Sequence, residues 1–304
     1  MVAYLPFDKR TPDSQYRDMV SRIVDHGIRS QTRQGPQALT IIGVQNHYDL
    51  RNGFPLIPDR SIKSFWRKGI GELCAFINGV RTLDGLAEFG VDWWGQWGTE
   101  EKCAKRGLET GDLGPGIYGG AFHDFPTAEG PPMNQFKHLV EQIREFPTDR
   151  THFVTPWIPQ YQTRGEGKTP KTTIAPCHGW VHVRVFGEAE EELKLHLHMF
   201  QRSGDVPVGV PSNMVQYAAL ALMLEQLTGY EAVEFVHTIS DAHVYADQLD
   251  KIALLRDREP MPLPTVFLNA EGKKVTDIHD FRGEHFDVED YIPHPSIPGI
   301  PVST

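Results

Sequence analysis

The sequence predicts a mixed α and β protein in which helices pack on a large β-sheet. Apolar residues recur at helical spacing in the segments 14–27, 61–78 and 133–146, whereas they alternate every second residue after position 179. The segment 213–228 is apolar on nearly every side, which is typical of a buried helix. Because all of these segments carry an apolar face to bury, we expect an α+β fold.

Each predicted element has its own local signal. Gly27 is a stop signal for the first helix, and Gly229 is the expected C′ residue of the buried one. Val181, Val183 and Val185 alternate with polar residues, as in a half-buried strand. In chain order we predict a helix at 14–27, a strand at 38–50, helices at 61–78 and 133–146, strands at 181–185 and 193–199, a helix at 213–228, a strand at 233–238, a helix at 243–256 and a strand at 264–268.

The segments between the predicted elements indicate a single domain. "FGEAEEE" separates the two alternating strands and indicates a hairpin connection, and the tail "YIPHPSIPGIPVST" contains too many prolines for a helix. Glycine and proline are spread along the chain as turn residues, with neither a repeat nor a low-complexity linker. We therefore expect one domain over 1–304.

Composition argues against several classes of protein. The 304 residues carry a net charge of -10, and the 30 lysines and arginines are dispersed, which disfavours a broad nucleic-acid surface. The 3 cysteines have no CxxC spacing, so neither a disulfide framework nor a zinc finger is indicated. No apolar run approaches the roughly 18 residues of a membrane span, and the N-terminus lacks an apolar signal segment. We expect a soluble, cytoplasmic protein.

Cys177 stands beside His178 in "TIAPCHGW", a pair that by itself leaves the chemistry open. Adjacent residues on an extended chain point to opposite faces, so His178 is poorly placed to deprotonate the thiol. A lone cysteine is more often an inert buried side chain than a nucleophile, and no local signature indicates a papain-like hydrolase. From these residues alone, the unreactive thiol is the favoured interpretation.

Three histidines are candidates for metal ligands. His196 and His198 share one face of a predicted strand, and His182 lies on its neighbour. No carboxylate or thiolate completes the set by spacing, so we interpret them as ordinary sheet histidines and predict no metal.

The segment "FQRSGDVPVGVPSN" predicts an anion site followed by an amide. Arg202 and Ser203 supply a planar donor fork and a hydroxyl beside a glycine-containing turn, which suits a phosphate monoester. Asn213 brings one donor and one acceptor that can pair with N3–H and O4 of a uracil ring. The alternative is a surface arginine and an N-cap asparagine, and this segment alone does not decide between them.

Longer motifs give the sequence a family resemblance that covers nearly the whole chain. The motifs are "NGFPLIPDRSIKSFWRKGIGELCAFINGV", "GDLGPGIYG", "APCHGW", "FQRSGDVPVGVPSN", "FVHTISDAHVYADQ", "REPMPLP" and "FDVEDYIPHPSIPGIPV". Their order and spacing resemble the folate-dependent thymidylate synthase family, which includes pyrimidine nucleotide hydroxymethylases. The resemblance implies a large mixed β-sheet flanked by helices, with the sheets of two subunits packed back to back in a homodimer.

The resemblance also implies a reaction. Cys177 would add to C6 of the uracil ring of dUMP, which makes C5 nucleophilic toward the one-carbon unit of 5,10-methylenetetrahydrofolate. Loss of the folate would leave an exocyclic methylene, and hydride from the folate would give dTMP and dihydrofolate. Glu72 would organise water for the proton transfers, a role that suits a carboxylate of raised pKa on an amphipathic helix.

Further roles follow from the same resemblance. The implied substrate-binding residues are Arg33, Arg150, Arg202 and Ser203 for the phosphate, Asn213 for the base, His243 and Tyr245 for the ribose, and His178. The implied catalytic residues are Cys177, Glu72, Tyr118, Asn213 and Asp205, and the implied folate contacts are Trp94, Trp97, Asp205, Gly209 and Glu72. Arg150 would reach the site of the partner subunit, and the C-terminal "IPVST" would close over the bound ligands as a flap.

Some positions depart from the family pattern. Thr151 follows Arg150 where a second arginine is usual, and losing that cation would weaken phosphate binding by about 1.5–3 kcal/mol unless another residue replaces it. Ser212 stands where a phenylalanine usually meets the folate, and a smaller polar side chain could admit water. Attack of water on the methylene would give a 5-hydroxymethyl product, so hydroxymethylation is the alternative to methylation. The polar loop 159–172 has no implied role.

Overall fold

The computed structural model describes residues 2–33 and 35–303, and within them six strands form one mixed sheet. These strands are β1 (Ile28–Ser30), β2 (Ala38–Asp49), β3 (Phe153–Val154), β4 (Trp180–Phe186), β5 (Lys194–Asp205) and β6 (Ala232–Tyr245). Their order across the sheet is β1-β2-β6-β5-β4-β3, and every pair is antiparallel except β5 with β6. Two further strands, β7 (Thr265–Leu268) and β8 (Phe286–Glu289), form a separate two-stranded antiparallel sheet.

Helices flank the main sheet. They are α1 (Gln15–His26), α2 (Trp66–Ile77), α3 (Leu83–Glu88), α4 (Glu100–Ala104), α5 (Tyr118–His123), α6 (Gln135–Glu145), α7 (Pro159–Gln162), α8 (Gly209–Thr228) and α9 (Leu249–Arg256). The helix α8 lies against β5 and β6, α1 lies against β2, and α2 packs on α8. Gly229 ends α8 with a φ of 81°, as predicted, and the expected α+β class is confirmed.

Three sequence-based expectations near the site were wrong. Arg202 and Ser203 lie within β5 rather than beside a turn, because β5 and β6 stay paired as far as Asp205 and His243. The chain at 243–245 is therefore strand and not helix. The helix α8 begins at Gly209 and not at 213 as predicted, so Asn213 lies inside the helix and the alternative of an N-cap asparagine does not hold.

The two faces of the sheet have different surroundings. Inward-facing side chains of β4 and β5 alternate with outward-facing ones and are fully buried under the helices. On the outer face and at the edge, large apolar side chains are exposed: Ile42 is 72% exposed, Phe153 54% and Phe186 47%. A sheet face that exposes such side chains is typical of an interaction surface.

No helix in the described ranges combines the length and the hydropathy that a membrane span requires. Nor do the described residues contain a group of three or more His, Cys, Asp or Glu side chains able to hold a metal ion. The predicted sheet histidines bond within the sheet, where His196 meets Glu234 at 2.9 Å and His198 meets Thr238 at 2.8 Å.

Candidate active site

Cys177 lies in an extended segment just before β4, with its side chain half-buried. Its peptide N–H donates to the hydroxyl oxygen of Tyr118 at 2.7 Å, and the guanidinium of Arg202 donates to its sulfur at 3.3 Å. The same guanidinium donates to the carbonyl oxygens of Pro176 and Ala175 at 2.7 and 2.9 Å. Arg202 is therefore held against the thiol by the backbone that precedes it.

Burial and the charge of Arg202 act in opposite directions on the pKa of this thiol. Burial raises the pKa of the Cys177 thiol and Asp241 adds to that effect, whereas Arg202 and the bond with Tyr118 lower it. A neighbouring cation is a common means of favouring a thiolate, which is the nucleophilic form of cysteine. The net shift of the pKa is upward, so Arg202 offsets only part of the effect of burial.

His178 turns away from the thiol, as the alternation of an extended chain predicts. Its Nδ1 lies 2.8 Å from the hydroxyl of Tyr217, and its ring stacks on Tyr118 at 4.3 Å between ring centres. Burial is the main reason that the pKa of His178 falls to about 3. A neutral, buried imidazole with this partner serves to position its neighbours and is not a base for Cys177.

Glu72 is a buried carboxylate on α2 that accepts hydrogen bonds from three side chains. The indole N–H groups of Trp93 and Trp94 both donate to Oε1, and the amide of Gln216 donates to Oε2. Burial raises the pKa of Glu72 above its ordinary value, although the three donors oppose the shift. A carboxyl group of raised pKa can exchange protons nearer to neutral pH than an exposed one.

A chain of amide side chains connects Glu72 to Asn213. Because a carboxylate only accepts, Gln216 turns its Nε2 to Glu72 and its Oε1 to the Nδ2 of Asn213, at 2.9 Å. From the other side, Nε2 of Gln201 donates to Oδ1 of Asn213 at 3.0 Å and to the carbonyl oxygen of Ser203 at 3.0 Å. The orientation of the Asn213 amide is therefore set from both sides.

A flip of that amide is disfavoured by both neighbours. It would place Oδ1 against Oε1 of Gln216 and Nδ2 against Nε2 of Gln201, and each mismatched buried pair costs about 1–3 kcal/mol. One N–H and one lone pair of Asn213 remain for a ligand. Sequence reasoning missed Gln216, although its position three residues after Asn213 on one helix is a signal that could have indicated contact.

Ser203, on the strand beside Arg202, bonds within the protein. Its hydroxyl donates to Oδ2 of Asp241 at 2.8 Å, and Nδ1 of His243 lies 3.4 Å from the other oxygen. Burial opposes ionisation of Asp241, but the bonds from His243 and Ser203 and the charge of Arg202 hold its pKa below the usual range. The Ser203 hydroxyl must turn away from Asp241 before it can donate to another anion.

The other implied phosphate and ribose residues lie on different elements: Arg33 between β1 and β2, Arg150 before β3, and His243 and Tyr245 on β6. Arg33 and Arg150 are exposed, and the backbone oxygen of Arg150 accepts from His182 at 3.1 Å on the outer face of the sheet. His243 and Tyr245 are buried on β6, with ring centres 5.1 Å apart.

The implied folate residues form two groups. Trp94 is buried next to Trp97, with ring centres 5.1 Å apart. At the other group, Nε2 of Gln248 donates to both carboxylate oxygens of Asp205, at 3.2 and 3.0 Å, and to the carbonyl oxygen of Pro301 at 2.9 Å. Gln248 thus joins the C-terminal segment to Asp205. The last residue of the predicted flap, Thr304, lies outside the described residues.

Gly209, the first residue of α8, lies close to Asn213. A β-carbon at Gly209 would stand 3.8 Å from Oδ1 of Asn213, which is an ordinary contact distance. The implied folate contact and the implied base reader are therefore neighbours at the start of one helix.

We expect Asp205→Asn to stabilise the protein at neutral pH. Burial is the main cause that raises the pKa of Asp205 to about 6, above the value of about 3.9 for an unfolded aspartate. Such a group destabilises the native state above about pH 6 and stops doing so below about pH 4. The free energy of unfolding in urea should therefore rise by about 1–2 kcal/mol at pH 8, and this gain should shrink as the pH falls to 5.

The exposed Asp247 provides the control for the measurement of unfolding free energy. Asp247→Asn removes an exposed charge without releasing a buried carboxylate. Asp247 is the last of the causes that act on the pKa of Asp205, so any gain in stability at pH 8 should be much smaller than that of Asp205→Asn. A loss of stability in Asp205→Asn at pH 8 would show that the bonds from Gln248 outweigh the cost of burial.

The site combines a thiol held by an arginine, a buried carboxylate and an oriented amide at one end of a mixed sheet. This combination is typical of an enzyme that acts on a small anionic substrate. A profile of the thymidylate synthase family matches residues 14–302 of the 304-residue chain, and the chain belongs to that family. It is an enzyme of the thymidylate synthase type, a nucleotide-binding transferase of nucleotide biosynthesis. Enzymes of this family transfer a one-carbon unit from methylenetetrahydrofolate to dUMP.

Proposed function

We propose that the chain forms a single catalytic domain that converts dUMP to dTMP through a covalent bond between Cys177 and C6 of the uracil ring. The observation that carries this proposal is the contact between Arg202 and the sulfur of Cys177, at 3.3 Å. A thiolate at this position can add to C6, and the electron pair then moves to C5 and O4. C5 loses its proton as tetrahydrofolate leaves, which forms the exocyclic methylene. Hydride added to that methylene returns an electron pair to C5, so the C5–C6 double bond re-forms and the thiolate is expelled.

Asn213 reads the uracil edge in this proposal. Its free N–H donates to O4 and its free lone pair accepts from N3–H, while Gln216 and Gln201 keep the amide in that orientation. Cytosine presents the opposite pattern of donor and acceptor at these atoms. It would require the flip that both neighbours oppose, so the substrate is dUMP rather than dCMP.

We expect Gln216→Leu to weaken the preference for dUMP over dCMP. The change removes one of the two contacts that orient Asn213, a loss of about 1–2 kcal/mol, so the ratio of kcat/KM values should fall about 5- to 30-fold. The matched control is Gln226→Leu on the same helix, because within the described part of the chain that amide bonds only to the carbonyl oxygens of Lys273 and Val275. An unchanged ratio in Gln216→Leu would show that Asn213 is oriented without it.

In this proposal, Glu72 is the general acid and base of the reaction. Its raised pKa lets it deliver a proton toward O4 when the Cys177 adduct forms and take one up, through ordered water, when C5 is deprotonated. The two indole donors hold one oxygen of the carboxylate, so Oε2, on the side of Gln216, is the oxygen nearer to Asn213. Proton exchange and base reading are thereby linked through one amide.

The residues around this site fit a pterin with an aromatic tail. Trp94 and Trp97 offer an aromatic wall, and the Asp205 carboxylate can accept from the N–H groups of a pterin edge. Methylenetetrahydrofolate supplies the one-carbon unit and, for methylation, the hydride. The segment that contains Pro301, bonded through Gln248 to Asp205, would close this side against water.

A homodimer is part of the proposal. The exposed apolar side chains on the outer face, Ile42 and Phe186 among them, favour packing against a second sheet. Arg150 stands at this face, next to His182, where its side chain can extend to the site of a second subunit.

The test of the proposed function is product analysis. The purified protein is incubated with dUMP and methylenetetrahydrofolate, dihydrofolate is followed by its near-ultraviolet absorbance, and the nucleotide is identified by mass spectrometry. We expect dTMP and dihydrofolate in equal amounts. Formation of 5-hydroxymethyl-dUMP without dihydrofolate would instead establish the hydroxymethylase.

One observation favours that second candidate. The hydroxyl oxygen of Ser212 is buried and has no hydrogen-bond partner among the described residues, and it lies so close to Gly69 that a β-carbon there would stand 2.6 Å away. Buried hydroxyls without a protein partner commonly bond to water. A water held here, one residue from Asn213, would be a candidate nucleophile toward the methylene.

A further inference from the structure

The loop 159–172, which sequence comparison left without a role, begins and ends at Arg202. Just before the loop, the ring of Trp157 lies under the guanidinium of Arg202, at 5.7 Å from the ring centre. Just after it, the carbonyl oxygens of Ala175 and Pro176 accept hydrogen bonds from the same guanidinium. Both ends of the loop therefore lie beside Arg202, which contacts the thiol of Cys177.

Several bonds hold this loop in place. The side-chain amide of Gln162 donates to the carbonyl oxygen of Gly116 at 2.8 Å, and the N–H of Lys171 donates to the carbonyl oxygen of Tyr161 at 2.8 Å. Next to its end, Nε of Arg106 donates to the carbonyl oxygen of Thr172 at 3.2 Å. The two ends of the loop are therefore tied to each other and to the segment that leads into α5.

Arg164 lies between these anchors, in a cluster of arginines. Burial, followed by repulsion from Arg106, Arg33 and Arg202, lowers the pKa of Arg164, so the charges of these three residues act on its guanidinium. The side chains of Arg164 and Arg33 make no hydrogen bond and no ion pair with any residue in the described ranges. The acid nearest in sequence, Glu166, faces Lys168 instead, at 3.9 Å.

Such a cluster favours a particular kind of ligand. Like charges that face one another raise the free energy of the unliganded protein, and a dianion between them reduces that cost. A phosphate monoester offers two negative charges and several acceptor oxygens, and arginine forks match its geometry. Because the side chains of Arg33 and Arg164 make no hydrogen bond or ion pair within the described ranges, they can turn toward it.

We propose that Arg164 is a ligand of the substrate phosphate, supplied by the same subunit through the loop 159–172. This inference rests on the proposed function in taking the phosphate of dUMP to lie at Arg202. The loop 159–172 then has a role, because it brings the guanidinium of Arg164 to the site at Arg202, beside which the loop begins and ends. It also restores the positive charge that Thr151 removes from this part of the site.

The test compares Arg164→Ala and Arg164→Lys with the wild type, using dUMP and the unphosphorylated nucleoside deoxyuridine. Loss of a charged hydrogen bond should raise the KM and the Kd for dUMP about 10- to 100-fold in Arg164→Ala, while kcat stays within about threefold. Turnover of deoxyuridine should be equal in wild type and variant. Arg164→Lys, which keeps the charge but not the fork, should fall between them.

The control is Lys168→Ala, which removes one positive charge from the same exposed loop and should leave the Kd for dUMP unchanged. An unchanged Kd in Arg164→Ala, or an equal loss with dUMP and with deoxyuridine, would overturn the inference. Binding of inorganic phosphate separates the two proposals. If the wild type binds phosphate but not dUMP, and Arg164→Ala loses the phosphate, the proposed function fails and the anion site stands.

Discussion

Cys177→Ser should abolish turnover of dUMP while leaving nucleotide binding almost intact. A serine hydroxyl is not ionised near neutral pH, so it cannot add to C6, although it is nearly the same size as the thiol. We expect kcat to fall by at least about 10⁴-fold, the scale seen when a covalent nucleophile is removed. The Kd for dUMP, measured by calorimetry, should change by less than about threefold, because Arg202 and Asn213 remain.

Cys103→Ser is the matched control for this variant. Cys103 is buried, and its sulfur donates to the carbonyl oxygen of Asp112 at 3.3 Å, a bond that a serine hydroxyl can replace. Its kcat should equal that of the wild type. Activity of Cys177→Ser above about a hundredth of the wild-type value would rule out a covalent role for this thiol.

Glu72→Gln should have the second largest effect, a fall in kcat of about 10²- to 10⁴-fold. A glutamine at 72 can keep one oxygen for the two indole donors only by turning its own N–H groups toward Nε2 of Gln216. Gln216 must then turn, and it loses its bond to Asn213. We therefore expect the preference for dUMP over dCMP to fall in the same variant that loses proton transfer.

The pH dependence of kcat provides a separate test of Glu72. In the wild type, one limb of the profile should report a pKa above the ordinary glutamate value of about 4.3, because burial raises it. That limb should be missing in Glu72→Gln. Glu225→Gln, a change of a buried carboxylate near the far end of α8, should keep the limb. A wild-type profile in Glu72→Gln would refute this role.

The fold could be predicted from the sequence where burial leaves a periodic pattern. The helix α8 is buried on nearly all sides, so its residues are apolar in an unbroken run and Gly229 marks its end. The ends of β5 and β6 carry no such pattern, because Ser203, Asp205 and Asp241 are polar residues of the site. Their pairing continues through backbone hydrogen bonds, to which side-chain periodicity gives no clue.

The candidate site could be predicted only in part, because some of its contacts join residues that no local sequence pattern connects. Family motifs pointed to Cys177, Arg202 and Asn213, and the structure gathers these residues around β4, β5 and α8. The contact between Gln216 and Glu72 joins two helices that are far apart in the chain, and no local pattern indicates it. Arg164 lies in a polar loop whose composition is that of any exposed turn, and only its anchors bring it to the arginine cluster.

The most direct test of the account is to trap the bond between Cys177 and the nucleotide. Fluorine at C5 of 5-fluoro-dUMP cannot leave as the proton does, so the reaction with methylenetetrahydrofolate should stop while C6 is still bonded to sulfur. Intact-protein mass spectrometry should show the added mass of nucleotide and cofactor, and peptide mapping should assign it to the peptide that contains Cys177. Absence of any adduct, or an adduct on Cys74 or Cys103, would contradict the account.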